Sequence, residues 1–266
     1  MIKLFVSDLD GTLVDHTGHI AEEDIEALRR ARKLGVKVVI ATGRIPSTID
    51  DFLDLLEVQE DEPVVGGQGA VIALRDGRIL HTLTIPREVA EEGAIIAREQ
   101  GAVPVFYTPD AILMERVAFS PEEDAYWLGK TLRYDPDALA HLDGEFIKLL
   151  AAQPDESRAA VLLAAFQARL GDRAEVVRSH HWFIEAVNQR ASKGAAIAWI
   201  AKQWGIRQDE VMAIGDAGND VSMLRWAGLS AAPADATPEA RDAARWIAPP
   251  LAEHPVAAAL ERFVFS

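Results

Sequence analysis

The hydrophobic pattern of this chain repeats one arrangement near its start and again near its end. Short apolar runs predict buried strands at residues 2–7, 36–41, 63–65, 211–214 and 229–232. Apolar positions at helical spacing predict helices at residues 20–33, 46–56, 193–204, 221–226 and 256–263. Because strands that alternate with helical crossovers form parallel sheets, both ends of the chain predict an α/β fold.

The middle of the chain follows another pattern. Short strands at residues 103–108 and 111–116 are split by Pro109-Asp110, and further strands are predicted at 145–151, 174–178 and 182–187. Helices are predicted at 87–100, from Ser120, and at 155–170. Antiparallel strands with helices on one side indicate an α+β domain at 84–186, inserted into a core made of 1–83 and 187–266.

Composition and charge narrow the class of protein. The 266 residues are 49% hydrophobic, enough for a sizeable core, but contain no apolar run that predicts a membrane span. No signal peptide is predicted and there is no cysteine, so we expect a cytoplasmic protein without disulfides. The net charge of −15 argues against nucleic-acid and anionic-membrane partners. It would also repel phosphate, so phosphate chemistry here would need a divalent cation.

Three predicted strands end in polar clusters, which should meet at one edge of a parallel sheet. The clusters are Asp8 with Asp10, Thr42-Gly43-Arg44, and Asp216 with Asn219 and Asp220. One of the first two carboxylates could be a nucleophile and metal ligand, and the other a proton carrier.

Each cluster also has a plain alternative. Asp8 to Gly11 could be a polar turn, and Thr42 could cap a helix. Asp216 and Asp220 could be loop or helix-start charges. Lys193 could be a solvated helix residue. In either case we expect a lysine at a helix start to contribute little packing. The convergence of the clusters, rather than any one of them, favours a functional site.

In this order the clusters resemble the haloacid dehalogenase-like hydrolase superfamily. The matching motifs are Asp8-Leu9-Asp10-Gly11-Thr12, Thr42-Gly43-Arg44, Ser192-Lys193-Gly194, and Gly215-Asp216-Ala217-Gly218-Asn219-Asp220. An insertion between the second and third motifs is similar to the Cof-type phosphatase branch. The resemblance implies a Rossmann-like parallel-sheet core with an inserted α+β cap domain.

The resemblance also implies a role for each motif residue. Asp8 would be the nucleophile, and Asp10 the general acid and base. Mg²⁺ would be bound by Asp8, Asp216 and the main-chain carbonyl of Asp10, with Asp220 acting indirectly. The implied phosphate-binding residues are Gly11, Thr42, Gly43, Arg44, Lys193 and Asn219. The second acid, Asp10, favours a phosphatase or phosphomutase over a dehalogenase or a transport ATPase.

The sequence departs from the family pattern in three places. Gln68 stands where the family usually has Asn, Ala217 replaces a Gly, and residues 231–236 differ from the sequence that the family usually has there. In the cap, Arg116, Tyr107 and His181 are candidate specificity residues. His180-His181 is predicted to be a surface pair rather than a metal site, because adjacent strand residues point to opposite faces.

The sequence therefore predicts a Mg²⁺-dependent phosphatase of a small phosphorylated metabolite, with a sugar phosphate favoured. The alternatives within this class are a phosphatase for FMN or pyridoxal phosphate, or a phosphomutase. The alternative of another class is a phosphometabolite-binding protein with negligible turnover. The oligomeric state is not predicted.

Overall fold

The computed structural model describes residues 1–108, 111–129, 131–142 and 146–266. Its strands, in chain order, are β1 Leu4–Ser7, β2 Lys37–Ala41, β3 Val64–Gly66, β4 Val71–Ala73, β5 Ile79–Thr82, β6 Val103–Tyr107, β7 Ile112–Met114, β8 Leu132–Tyr134, β9 Lys148–Ala152, β10 Glu175–His180, β11 Phe183–Val187, β12 Val211–Ile214, β13 Leu229–Pro233 and β14 Trp246–Ala248.

The helices, in chain order, are α1 Glu22–Lys33, α2 Asp50–Leu55, α3 Arg87–Glu99, α4 Pro121–Leu128, α5 Ala138–His141, α6 Glu156–Leu170, α7 Lys193–Gln203, α8 Val221–Trp226, α9 Pro238–Ala243 and α10 Pro255–Leu260. Single 3₁₀ turns also occur, among them Gly67–Gly69 and Gly218–Asp220. None of the helices in the described residues combines the length and the apolar character needed to cross a membrane.

The first compact unit comprises Met1–Leu80 and Ser192–Ser266. An eight-stranded sheet has the order β14-β13-β12-β1-β2-β3-β4-β5, and its last strand, β5, begins in this unit and crosses the boundary after Leu80. The pairs from β14 to β3 are parallel, and β4 runs antiparallel to β3. The carboxyl ends of β12, β1 and β2 therefore lie side by side at one edge of the sheet.

The alternation of side chains along β1 explains why this strand is central. Phe5 packs on one face of the sheet with Leu28 of α1, and Val6 packs on the other face with Ile197 of α7. All four residues of β1 are buried, as expected for a parallel strand covered on both faces.

The second compact unit is the contiguous segment His81–Ala191. Its six-stranded sheet has the order β10-β11-β9-β6-β7-β8 and is antiparallel except for the β7–β8 pair. One buried cluster joins Phe106, Leu149 and Ile184 of the sheet to Leu162 and Phe166 of α6. The unit boundaries lie within a few residues of the predicted limits at 84 and 186, and a role as a cap stays a prediction.

Several predicted elements need correction. The helix predicted at 46–56 is a 3₁₀ turn, Pro46–Thr48, followed by α2, because Ile49 leaves the helical region at φ −124°. In place of the closing helix predicted at 256–263, the α-helix ends at Leu260 and a π-helical turn, Glu261–Phe265, follows it. The elements β8, α5, α9 and β14 were not predicted. The Pro109-Asp110 turn and the start of the strand predicted at Glu145 lie outside the described residues.

Candidate active site

The loop after β1 carries Asp8 and Asp10 into different surroundings. The Asp8 N–H extends the strand ladder by donating to the Ile214 carbonyl at 2.9 Å. Gly11 then turns the chain at φ +80°, and a Cβ atom at this position would lie 2.5 Å from Oδ2 of Asp216. Only glycine fits both requirements. Asp8 is buried, whereas 45% of the Asp10 side chain is exposed.

The loop after β2 contains Thr42 and Arg44. The buried Thr42 hydroxyl accepts a hydrogen bond from the Arg44 N–H at 3.1 Å. The alternative that Thr42 caps a helix is wrong, because the next turn begins at Pro46 and has Ile45 as its N-cap. The Arg44 guanidinium makes a two-point ion pair with Asp10, at 2.7 and 3.0 Å. Arg44, predicted to bind phosphate, thus holds the Asp10 carboxylate in this structure.

Lys193 begins α7 and lies inside the site. The Ser192 hydroxyl caps the helix by accepting from the Ala195 N–H at 3.0 Å. Lys193 is only 1% exposed, and its Nζ donates at 2.6 Å to Oδ1 of Asp8 and at 2.6 Å to Oδ1 of Asp220. The alternative of a solvated helix residue is therefore wrong.

In the loop after β12, the Asp220 side chain binds the backbone at the start of the same loop. Oδ2 of Asp220 accepts from the N–H groups of Asp216 and Ala217, each at 3.0 Å. A Cβ atom at Gly215 would lie 2.5 Å from Cγ of Asp220, so glycine is needed for this close approach. Asp220 is fully buried, which overturns its interpretation as a solvated loop charge. Asp216 accepts a longer bond, 3.4 Å, from the Thr12 hydroxyl.

Burial and mutual repulsion perturb the acids of this cluster. Burial, with the Asp220 carboxylate adding to it, raises the pKa of Asp8 well above its usual value. The same two causes raise the pKa of Asp216 to about 6. For Lys193, burial lowers the pKa, but the Asp220 and Asp8 carboxylates outweigh it and leave this pKa raised. Such opposed environments are typical of catalytic sites.

The cluster fits a divalent cation. Carboxylate oxygens of Asp8, Asp216 and Asp220 all lie within 4.8 Å of one another. Three carboxylates and the Lys193 ammonium sum to a formal charge of −2, and oxygen donors suit hard cations. Asp220 already uses both oxygens on Lys193 and on two N–H groups, so direct ligation falls to Asp8 and Asp216. The Asp10 carboxylate is not part of this group.

The sequence does not predict the contact that Gln68 makes within the site. Asn219 Nδ2 donates to Oε1 of Gln68 at 3.0 Å, and Gln68 is buried. Asn219 was predicted to bind phosphate, and its side chain meets Gln68 here. The signal that pointed to Gln68 was the glycine-rich run around it, which marks close approaches of the backbone.

Known proteins of similar sequence and fold identify the family of this chain. A family model described as haloacid dehalogenase-like hydrolase matches residues 5–260. Phosphatase YwpJ of Bacillus subtilis (strain 168) is 29% identical over 280 residues, which cover 96% of this chain and 98% of that protein. A solved haloacid dehalogenase-like hydrolase from Bacteroides thetaiotaomicron aligns with a TM-score of 0.87 at 28% identity, covering 98% of this chain and 99% of that one.

A second solved structure, a sugar phosphatase of HAD subclass IIB, aligns with a TM-score of 0.82 at 24% identity and covers 98% of each chain. This match shows a shared fold. The predicted α/β class, the family resemblance and the assignment as a phosphatase-type hydrolase are confirmed by these matches. The chain belongs to the haloacid dehalogenase-like hydrolase family.

Proposed function

We propose that this protein is a Mg²⁺-dependent phosphatase of a small phosphorylated metabolite, acting through an aspartyl-phosphate. The observation that carries this proposal is the group of buried Asp8, Lys193 and Asp220 with half-buried Asp216 at the carboxyl edge of the sheet. It joins a candidate nucleophile, a fixed cation and a set of metal-ligating oxygens, and its formal charge calls for a divalent cation before a phosphate can approach.

The reaction divides between the two acids of the first loop. An Asp8 oxygen attacks phosphorus, the bond from phosphorus to the leaving oxygen breaks, and that oxygen takes the proton of the Asp10 carboxyl group. Water then attacks the aspartyl-phosphate and gives its proton to the Asp10 carboxylate. Inorganic phosphate leaves, and Asp8 is regenerated. The exposure of Asp10 suits a group that must meet both the leaving group and water.

The remaining residues orient these groups. Mg²⁺ held by Asp8, Asp216 and the Asp10 carbonyl would supply charge neutralisation at the phosphoryl group. Lys193, Thr42 and the Gly43 N–H are proposed to bind phosphoryl oxygens, on which charge spreads in the transition state. The two-point pair with Arg44 fixes the rotamer of the ionised Asp10 carboxylate, which is the form that accepts the proton of the attacking water.

A sugar phosphate is the proposed substrate class. The sugar phosphatase of the same fold, described above, supports this choice. The proposed phosphate-binding residues would not distinguish one substrate from another, because all phosphate monoesters share the phosphoryl group. The inserted unit His81–Ala191 is proposed to select the leaving group as a cap, with Tyr107, Arg116 and His181 as candidate contacts.

Two measurements test the proposal. Hydrolysis of p-nitrophenyl phosphate with Mg²⁺, and its loss in excess chelator, tests the enzyme class. A panel of phosphorylated metabolites, including sugar phosphates, FMN and pyridoxal phosphate, tests the substrate class. A protein that binds phosphate but turns over no member of the panel would be a binding protein instead. Preference for FMN or pyridoxal phosphate would overturn the sugar-phosphate proposal alone.

A further inference from the structure

Gln68 stands in a backbone conformation that its residue type disfavours. It lies in the Gly67–Gly69 turn after β3 with φ +61° and ψ +27°, the left-handed region. Few non-glycine residues adopt this region, and outliers of this kind are energetically unfavourable and cluster at functional sites. The side chain is also 3% exposed, so a long polar group is buried at a strained position.

The backbone of this turn is fixed to the loop after β2. The Gly67 N–H donates to the Arg44 carbonyl at 2.9 Å, and the Gln68 N–H makes a longer bond of 3.4 Å to the Thr42 carbonyl. Gly43 lies between these two anchor points. A Cβ atom at Gly43 would lie 2.4 Å from Nε2 of Gln68, so the Gln68 amide fills the space that glycine leaves there.

The other end of the turn rests on the start of α7. Gly69 has φ +92°, and a Cβ atom on it would lie 2.2 Å from the Ser192 carbonyl oxygen and 2.9 Å from the Lys193 nitrogen. The turn therefore contacts the backbone from which the Lys193 side chain extends to Asp8 and Asp220.

The Gln68 side chain joins these parts to the loop after β12. Its Oε1 accepts from Nδ2 of Asn219, the neighbour of Asp220, at 3.0 Å. The Oδ1 atom of Asn219 is buried and has no hydrogen-bond partner among the described residues. Since a buried acceptor without a donor is costly, the bond to Gln68 is what holds the Asn219 amide in this orientation.

We propose that Gln68 is a positioning residue that fixes the Gly43 loop and Asn219 relative to each other, so that both meet the phosphoryl group in the correct geometry. The inference rests on the proposed phosphatase function and adds a residue to its phosphate site. A group acting through others in this way is worth roughly 10–100-fold in affinity or activity when it is removed.

The test uses Gln68→Met, which keeps the length of the side chain and removes its hydrogen bonds. We expect kcat/KM for p-nitrophenyl phosphate and for glucose 6-phosphate to fall by the same factor, roughly 10–100-fold, because both share the phosphoryl group. The Kd of inorganic phosphate, measured by calorimetry with Mg²⁺ present, should rise about 10-fold. The phosphate titration needs no turnover, so it separates failure of this inference from failure of the proposed function.

A matched control and a double variant complete the design. The control is Gln153 of the inserted unit, which is also buried and whose Nε2 donates to a main-chain carbonyl at 3.0 Å. Gln153→Met should leave the phosphate Kd unchanged. If Gln68 acts through Asn219, the Kd of the Gln68→Met/Asn219→Ala double variant should match that of Asn219→Ala alone.

Three results would overturn the inference. One is a Gln68→Met protein whose phosphate Kd and kcat/KM stay within about twofold of wild type. The second is a double variant whose loss equals the product of the single losses, since this shows independent action. The third is a fall in binding stoichiometry at an unchanged Kd, which indicates a residue that only supports the fold.

Discussion

Removing the charge of Lys193 should destabilise the protein as well as inactivate it. The Lys193 ammonium lies 2.6 Å from an oxygen of each of two buried carboxylates, on Asp8 and Asp220. At an effective dielectric constant of ~20, each contact has a gross Coulomb energy of about 6 kcal/mol, most of which is offset by desolvation. The expectation from the sequence, that this lysine contributes little packing, is wrong because the side chain is buried.

Lys193→Met keeps most of the side-chain volume and leaves three carboxylates with a formal charge of −3 in place of −2. Removing one partner of a buried ion pair costs about 3–5 kcal/mol, and we expect a loss of this size in the free energy of unfolding without metal. The lysine pKa is raised in the folded state, so its contribution is fully present at pH 7.5 and is lost only as the pH rises through that pKa.

Urea unfolding at pH 7.5 in chelator measures this loss. Lys202→Met is the matched control, because Lys202 is an exposed lysine of the same helix, and it should change the unfolding free energy by less than ~0.5 kcal/mol. Mg²⁺ should restore more stability to Lys193→Met than to wild type, since the more negative site binds the cation more tightly. We still expect kcat to fall about 10²–10³-fold.

A loss below ~1 kcal/mol, or one equal to that of Lys202→Met, would refute the description of Lys193 as the buried counter-ion of this site. Equal stabilisation of both proteins by Mg²⁺ would instead refute the assignment of the cation to these carboxylates.

Three further predictions follow from the same structure. Excess chelator should abolish phosphatase activity and Mg²⁺ should restore it, whereas full turnover in chelator would exclude a metal role for the carboxylate cluster. Asp10→Asn should trap a phosphoryl adduct with p-nitrophenyl phosphate, because that leaving group needs little protonation while hydrolysis of the intermediate loses its base. Asp8→Asn should form no adduct, and intact-mass spectrometry after a rapid quench distinguishes the two variants. Asp24→Asn should stabilise the protein by about 1–3 kcal/mol at pH 7.5 and by little at pH 4, because burial raises the Asp24 pKa to about 6, above its unfolded value. The folded wild-type protein therefore loses stability as the pH rises through the Asp24 pKa. If the urea midpoints of the Asn variant and wild type differ by the same amount at every pH, the raised pKa of Asp24 is contradicted.

The elements most fully predicted from the sequence were those with a continuous apolar run and a clear stop. β12 and α8 have the predicted bounds, because Gly215 ends the strand and the polar loop that follows leads directly into the helix. By contrast, β14 has only three residues and two of them are partly exposed, so it gives no periodic signal. Its place at the edge of the sheet depends on pairing with β13, which local sequence does not reveal.

The same limit applies to the site. That the polar clusters share one edge follows from parallel strands, and the structure brings Asp8, Lys193, Asp216 and Asp220 together there. The pairing of individual side chains could not be predicted. It depends on the distances between side chains on loops that are far apart in sequence. The bond between Gln68 and Asn219 joins residues 151 positions apart and is an example.

The pairing of β1 with β12 also has a consequence for how the chain folds during synthesis. Leu4 is registered with Val211, so one neighbour of the central strand emerges from the ribosome only after roughly 200 further residues. At ~5–20 residues per second that interval is roughly 10–40 s, during which β1 has an open edge that can pair wrongly. The contiguous unit His81–Ala191 has all of its strands available earlier. Nascent chains halted before residue 211 should therefore protect this unit from protease while leaving the first 80 residues cleavable.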